Sequence, residues 1–373
     1  MRQEFEVVVV GAGVNGLATA WWLLRRGVKS VAVVERFSVG HDRGSSHGAS
    51  RITRSAYADP LYVALMKVAH ASSWPTLEAD AGERLLHKRD GCFFGNPKGM
   101  FGDYLAAIEG ADVDVERLDA VEGRRRFPMF RFPGAIEVLH DRTAGVVAAH
   151  DTMQALNRLV RAGSGAGEAA VTMLEGVTVH AIDPVSRVLD TDRGPIRGER
   201  LIVTAGAWVG ALFPNLKERL APILQTVTYL DIIGDPRAFP VWAWRGDTVD
   251  DFYYGLPEFQ RPGLKAAQHH VDGRRDDPDA PRGEPETVSV LEFLSAHLSS
   301  APRAVIATER CLYTCTDDED FILDTVAPGV VVGAGFSGHG FKFAPLTGQI
   351  LAELALDGKS SVAAFEQHRD RFR

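Results

Sequence analysis

Val7-Val8-Val9-Val10-Gly11-Ala12-Gly13-Val14-Asn15-Gly16 sets the fold class of this chain. The valines form a short β-branched run of the kind buried in a parallel sheet. The residues after them follow the pattern G-x-G-x-x-G. Leu17, Ala20, Trp21 and Leu24 then recur at i, i+3, i+4 and i+7, one apolar helix face, and Gly27 ends the helix. A second run, Val31-Ala32-Val33-Val34, finishes on Glu35, with Arg36 beside it. Strand, glycine turn, helix, strand and acidic residue together predict a dinucleotide-binding unit. Gly11 makes the turn, Gly13 lets the backbone at Val14 and Asn15 approach a pyrophosphate, and Gly16 permits close helix–strand packing. The pyrophosphate rests on the helix N-terminus, and Glu35 accepts hydrogen bonds from a ribose diol. An acidic residue at that strand end favours an unphosphorylated ribose, hence FAD or NAD rather than NADP.

Outward from this unit, the 373 residues leave room for two domains. Hydrophobic residues make up 45% and charged residues 24%, and mean hydropathy is near zero, as in a soluble globular protein. A net charge of -8 and a pI near 5.9 argue against nucleic acid or an anionic membrane surface as the main partner. A local positive pocket for a small anion remains compatible with both. Three cysteines do not make a disulfide framework, so a reducing cytoplasm is the expected compartment. The long apolar stretch from Val7 to Leu24 follows Glu4 and Glu6 and is broken by glycines, which suits a turn better than a membrane span. No targeting segment, transmembrane segment or internal repeat is read.

Two later stretches decide between the cofactors. Leu201-Ile202-Val203-Thr204-Ala205-Gly206 is an apolar strand running into a small-residue turn. Val330-Val331-Val332-Gly333-Ala334-Gly335 is another, followed by Gly338-His339-Gly340 and a helical pattern at Leu346, Ile350 and Leu354. Taken alone, each reads equally well as ordinary sheet core. Together with the first unit they rebuild one nucleotide fold from three distant parts of the chain. That favours FAD with an inserted second domain, since nicotinamide dehydrogenases usually keep the fold contiguous.

Four stretches carry a family likeness: the N-terminal glycine unit, Gly44-Ser45-Ser46-His47-Gly48-Ala49-Ser50-Arg51-Ile52-Thr53-Arg54, Cys311-Leu312-Tyr313-Thr314, and Gly335-Phe336-Ser337-Gly338-His339-Gly340-Phe341-Lys342-Phe343. Gly263-Leu264-Lys265 is a fifth, at a suitable place in the middle. The sequence resembles the monomeric sarcosine oxidase family, which includes N-methyltryptophan and pipecolate oxidases. The resemblance spans essentially the whole chain. It implies an α/β fold with an α+β second domain: a Rossmann-like FAD domain from segments 1–85, 140–218 and 302–373, and a substrate domain from 86–139 and 219–301 with a mainly antiparallel sheet. It also implies a monomer that takes a small amino acid and O2, with no metal.

The same resemblance assigns roles. Cys311 bonds the flavin through its 8α-methyl, with Cys315 as a competitor; Cys92 has no motif and reads as core. Arg51 lies against the flavin, while Arg54 and Lys342 grip the substrate carboxylate, for which a guanidinium fork is well shaped. If the segment is helical, His47, Arg51 and Arg54 share a face. Ser46 stands where the family frequently has histidine, and Ala49 where it has aspartate. Lys265 sits near flavin N5 and stabilises the charge that appears as O2 is reduced. His269, Tyr254 and Tyr313 line the site, and Ser45, His47, Gly206, Gly338, Gly340 and Lys342 complete the flavin contacts. A metal on His269 and His270 is not expected, because no partner has ligand spacing. Val271 to Glu286 reads as an exposed loop near the entrance, and Arg124-Arg125-Arg126 as a solvated helix end. The implied reaction oxidises the C–H bond beside nitrogen to an imine and reduces O2 to peroxide. A flavin dehydrogenase with another acceptor, and a flavoprotein without catalysis, are the competing readings.

Overall fold

The computed structural model describes residues 3–133, 135–163, 170–269 and 275–373. The valine run lies in the strand Glu4–Val10, where Val7, Val8 and Val9 are fully buried. This strand pairs in parallel with Ser30–Glu35 on one side and Ile196–Val203 on the other. Ala170–Glu175 and Val330–Ala334 extend the parallel sheet outward from those two strands. Three remote segments of sequence therefore meet in one sheet, as the motif spacing predicts. Apolar faces on both sides explain why these strands read as continuous β-branched runs rather than alternating ones.

The helix Val14–Arg25 follows the glycine turn, and Gly27, at φ +80°, closes it in the left-handed conformation a helix end favours. Its burial is wider than one stripe. Ala18 and Leu23 are fully buried along with Leu17 and Ala20. The helix packs on the sheet and against the helices Ala149–Ala162 and Ala344–Asp357, which themselves touch sheet strands. A Cβ on Gly348 would stand 2.6 Å from the Ala18 carbonyl carbon, so the third segment packs backbone against backbone here.

A second sheet runs in the order Ala304–Cys315, Ala221–Asp231, Leu264–Gln268, Phe252–Leu256, Val241–Arg245, Gly91–Gly95, Glu137–Asp141, Val115–Leu118. All its pairings are antiparallel except that of Val241–Arg245 with Gly91–Gly95. The strand Ala304–Cys315 lies within the segment 302–373, yet it hydrogen-bonds along Ala221–Asp231 in this second sheet. It thereby carries Cys311 and Tyr313 on the layer opposite the dinucleotide fold.

A small third sheet joins Ser50–Thr53, Gly145–Ala148 and Leu86–Lys88. It corrects the helical reading of the His47–Arg54 stretch: Arg51 sits on a strand, paired with Val147, and Arg54 follows the strand's end. The β-branched Ile52 and Thr53 pack better on a pleated surface than on a helix. Arg124, Arg125 and Arg126 are exposed at the end of the helix Ala120–Arg126. Residues 271–274 of the expected loop lie outside the described residues, while 275–286 are largely exposed. No helix among the described residues is long and apolar enough to cross a membrane.

Candidate active site

The glycine turn builds a cradle that only glycine permits. Gly11 has φ +99°, and a Cβ there would lie 2.6 Å from the Thr204 carbonyl oxygen; one on Gly16 would lie 1.9 Å from the Gly11 oxygen. The backbone beside Val14 is thereby bared at the helix N-terminus, and its N–H donates to Ser46 Oγ at 3.0 Å. Glu35 is buried and fixed: Oε2 accepts from Ala12 N at 2.8 Å and Oε1 from Phe37 N at 2.9 Å. Gly206 and Gly338, both at positive φ, line the same groove with Gly340, Ser45 and Arg51. These features fit a dinucleotide: an anion-seeking helix N-terminus, an acidic acceptor, and a backbone stripped of side chains.

Asn15 and Arg36 also line this groove, with their side chains bonded within the protein. The Asn15 amide oxygen accepts from the Thr347 hydroxyl at 2.7 Å, turning the side chain toward the helix Ala344–Asp357. Arg36 is exposed and bonds Asp279 at 2.8 Å, and Trp208 Nε1 reaches the same carboxylate at 3.1 Å. Asp279, in the described part of the exposed loop, therefore lines the dinucleotide groove on the side of Arg36.

A second cavity adjoins the first, and Arg51, Tyr313, Gly338 and Phe341 line both. Arg51 is locked by donating Nη2 to the carbonyls of Ser45 at 2.8 Å and His47 at 2.6 Å. Burial, and then Arg51, lower the His47 imidazole to about 4, so it is neutral there. Lys265, from the strand Leu264–Gln268, is 3% exposed and donates Nζ to the Ser50 carbonyl at 2.7 Å. Burial first, and the Arg51 charge second, bring its ammonium down to about 7, while Glu309 and Cys311 pull the other way.

Arg54 and Lys342 flank Tyr57. The Arg54 guanidinium carbon lies 4.6 Å from the Tyr57 ring centre, and Lys342 Nζ donates to the Tyr57 hydroxyl at 3.0 Å. Both cations are buried, Arg54 Nη1 has no hydrogen-bond partner among the described residues, and no described carboxylate pairs with either. Burial and then the Arg54 charge push the Lys342 ammonium well below its usual range. A buried guanidinium without a described counter-ion, beside a lysine that an incoming anion would help to stay protonated, fits an anion site.

The Tyr254 and Tyr313 hydroxyls meet at 3.0 Å. The Tyr313 ring is so close to the Gly338 backbone that a Cβ there would come within 2.2 Å. His269 stacks beside Tyr313 and Phe252, and His339 Nε2 lies 3.0 Å from the Glu319 carbonyl oxygen. Cys311 lines this cavity, its Sγ 3.9 Å from the Ser45 carbonyl; burial pushes the thiol up, and Arg51, Lys265 and Arg282 pull it down by less. Cys315 lines neither cavity and packs with Ala221 and Ile223. Cys92 belongs to the core around Phe94 and Trp242. Among the described residues no group of His, Cys, Asp or Glu side chains is placed to hold a metal; His270 lies outside them.

Several lining residues had no sequence motif. Glu309 forms an ion pair with Arg261 and accepts from the Tyr229 hydroxyl at 2.9 Å, behind Lys265. Its place two residues before Cys311 on one strand face was the available signal. Tyr57, Tyr104 and Glu319 come together only through the packing of separate elements.

A stripped-backbone dinucleotide groove opening onto a cavity lined by buried basic side chains fits a dinucleotide-dependent oxidoreductase. The chain belongs to the FAD dependent oxidoreductase (DAO) family, whose profile matches residues 6–354. The peroxisomal sarcosine oxidase of Mus musculus is 35% identical, over 94% of this chain and 92% of its own. The monomeric sarcosine oxidase of Arthrobacter sp. (strain TE1826) is 30% identical, over 96% and 94%. Among solved structures, NikD, described as an unusual amino acid oxidase essential for nikkomycin biosynthesis, aligns with a TM-score of 0.80 and 26% identity over 96% of each chain. The protein is an FAD-dependent amine oxidase of the sarcosine oxidase-like kind, and it oxidises amino acids.

Proposed function

We propose that the substrate is a small secondary amino acid, N-methylated or cyclic, and that O2 is the electron acceptor and becomes H2O2. The observation that carries this reading is the pair of buried basic side chains, Arg54 and Lys342, in the cavity that adjoins the dinucleotide groove. They hold the substrate carboxylate as a bidentate and a point-charge partner respectively. The Tyr254–Tyr313 pair and His269 wall the reacting end of the cavity. Bound FAD supplies a two-electron acceptor for the C–H bond beside nitrogen and returns the pair to O2. Arg51 fixes the loop from Ser45 to His47 at the boundary of groove and cavity. Lys265 holds a proton where negative charge appears on dioxygen, in a site shielded from water. The amine loses two electrons and two protons, O2 gains both, and the imine takes up water after release. An N-methyl substrate then gives formaldehyde and the free amino acid.

Cys311, the cysteine that lines the cavity, is the proposed point of covalent flavin attachment. Segments 1–85, 140–218 and 302–373 are the proposed FAD domain and 86–139 and 219–301 the substrate domain, with the strand Ala304–Cys315 shared between them. The names of the relatives support a monomer, and a cytoplasmic location is proposed from cysteine usage. The test is a peroxide assay with sarcosine, N-methyltryptophan, proline and pipecolate, repeated on Arg54→Met and Lys342→Met. One substrate should release peroxide, and each variant should weaken carboxylate binding by roughly 2–5 kcal/mol, as for broken desolvated charge pairs. Reduction of an artificial acceptor without peroxide would instead assign a dehydrogenase.

A further inference from the structure

The substrate cavity has an anionic pole as well as a cationic one. Its lining includes the carboxylates of Asp59, Asp103, Glu309, Asp318, Glu319 and Asp320. Asp59 and Asp320 are ion-paired to Arg371, and Glu309 to Arg261. Asp103 and Asp318 are exposed. Glu319 remains: its side chain is 40% exposed, it has no Arg or Lys ion pair among the described residues, and the imidazole of His269 stands beside it. Its Oε2 stands 3.4 Å from His269 Nε2, a nitrogen with no closer partner among the described residues.

The backbone holds Glu319 there against its own preference. Its φ is +60°, in the left-handed region that a side chain such as glutamate rarely adopts. The Glu319 carbonyl oxygen lies 3.0 Å from His339 Nε2, and the Thr316 hydroxyl donates to the Asp320 oxygen at 2.8 Å across the same turn. His339 packs in turn on Tyr57, the residue between Arg54 and Lys342, with ring centres 5.8 Å apart. Burial works against the Glu319 charge, but the contact with His269 first, and Arg245 after it, hold the carboxyl below its usual range. Glu319 is thus a carboxylate without an arginine or lysine ion pair among the described residues, in a cavity that Arg51, Arg54, Arg245, Lys265 and Lys342 also line.

We propose that Glu319 is the counter-charge for the substrate's ammonium group, so that the site selects an amino acid zwitterion and not merely a carboxylate. This rests on Arg54 and Lys342 holding the carboxylate. The cation on nitrogen then completes the charge pattern with Glu319 and His269, and carboxylates with a neutral tail lack that partner. Glu319 sets which form of the substrate enters and takes no part in electron transfer; the bound ammonium releases one proton to solvent before the amine loses its two electrons and two protons.

Dimethylsulfonioacetate and its uncharged carbon isostere isovalerate separate the two poles, since they share a carboxylate and a shape and neither carries an amine to oxidise. Binding to the holoenzyme is read from the perturbation of flavin absorbance. Wild type should prefer the sulfonium compound. Glu319→Gln should lose about tenfold of that preference, while its Kd for isovalerate moves less than about threefold. Glu319→Asp, which keeps the charge, should keep the direction of the preference and serves if the glutamine variant does not fold. An unchanged preference in Glu319→Gln overturns the role of Glu319 and leaves the carboxylate clamp standing. Failure of both compounds to bind wild type overturns the clamp, and this inference with it.

Discussion

Lys265 shows how much one side chain's surroundings decide. A lysine in a Gly-Leu-Lys stretch is ordinary until its strand places the ammonium in a dry site against the Ser50 carbonyl, with Arg51, Glu309, Cys311 and Arg261 around it. Its ammonium is charged below about 7 and loses its proton above. If that charge stabilises reduced oxygen, reoxidation by O2 in wild type should slow as pH rises through about 7. Lys265→Met should be flat over the same range and slower by roughly 10²–10³. Anaerobic reduction by substrate should change little, so stopped-flow absorbance of the two half-reactions distinguishes the roles; unaffected reoxidation would make Lys265 a structural residue. At Cys311 the prediction is chemical. Acid-precipitated wild type and Cys315→Ala should stay yellow and Cys311→Ala should release its flavin; the opposite result would move the linkage to Cys315.

Among elements, the strand Glu137–Asp141 supports one arm of the proposed carboxylate clamp from a distance. Asp141, at its end, is fully buried and accepts from Ser55 N at 2.6 Å, Ala56 N at 3.0 Å, Thr143 N at 2.8 Å and Thr143 Oγ1 at 2.6 Å. These bonds pin the backbone between Arg54 and Tyr57, so the second sheet holds the turn from which the clamp projects. Burial raises the Asp141 carboxyl above the usual carboxylate range despite the four donors. Asp141→Ala would leave the Ser55 and Ala56 N–H groups buried and unpaired, at about 1–3 kcal/mol each. It should therefore lower the unfolding midpoint and also weaken isovalerate binding, although Asp141 itself lines neither cavity. Lowered stability with unchanged binding would show that the Arg54–Tyr57 turn is held by other contacts.

Over the whole molecule, burying a polar active site makes folding sensitive to acid. Burial lowers the imidazoles of His47 and His70 to about 4 and that of His339 to about 3, from 6.5. Because the unfolded chain takes up these protons and the folded one does not, stability is full above about 6.5. It falls as pH drops toward the folded values. Each histidine should lose roughly 2 kcal/mol between pH 7 and pH 5, an upper figure. Urea unfolding at the two pH values measures the sum, and replacing His70 by glutamine should remove its share. Equal stability at both pH values would show that these imidazoles are solvated or paired when protonated.

The sequence by itself determined the dinucleotide fold. Valine runs, glycine spacing and the acidic strand end are local signals whose steric and hydrogen-bonding reasons operate within a few residues. It also pointed to Arg54, Lys342, Lys265 and Cys311, because those residues sit in motifs. It did not determine that the Ser50–Thr53 segment is a strand, where pairing with Gly145–Ala148 decides over local periodicity. Nor did it reveal Tyr57 between the two cations, Glu309 behind Lys265, or Glu319 in the same cavity. Those placements depend on elements up to hundreds of residues apart in sequence meeting in one cavity, and on which carboxylates find an arginine and which do not. Only the tertiary structure settles that partition of charge.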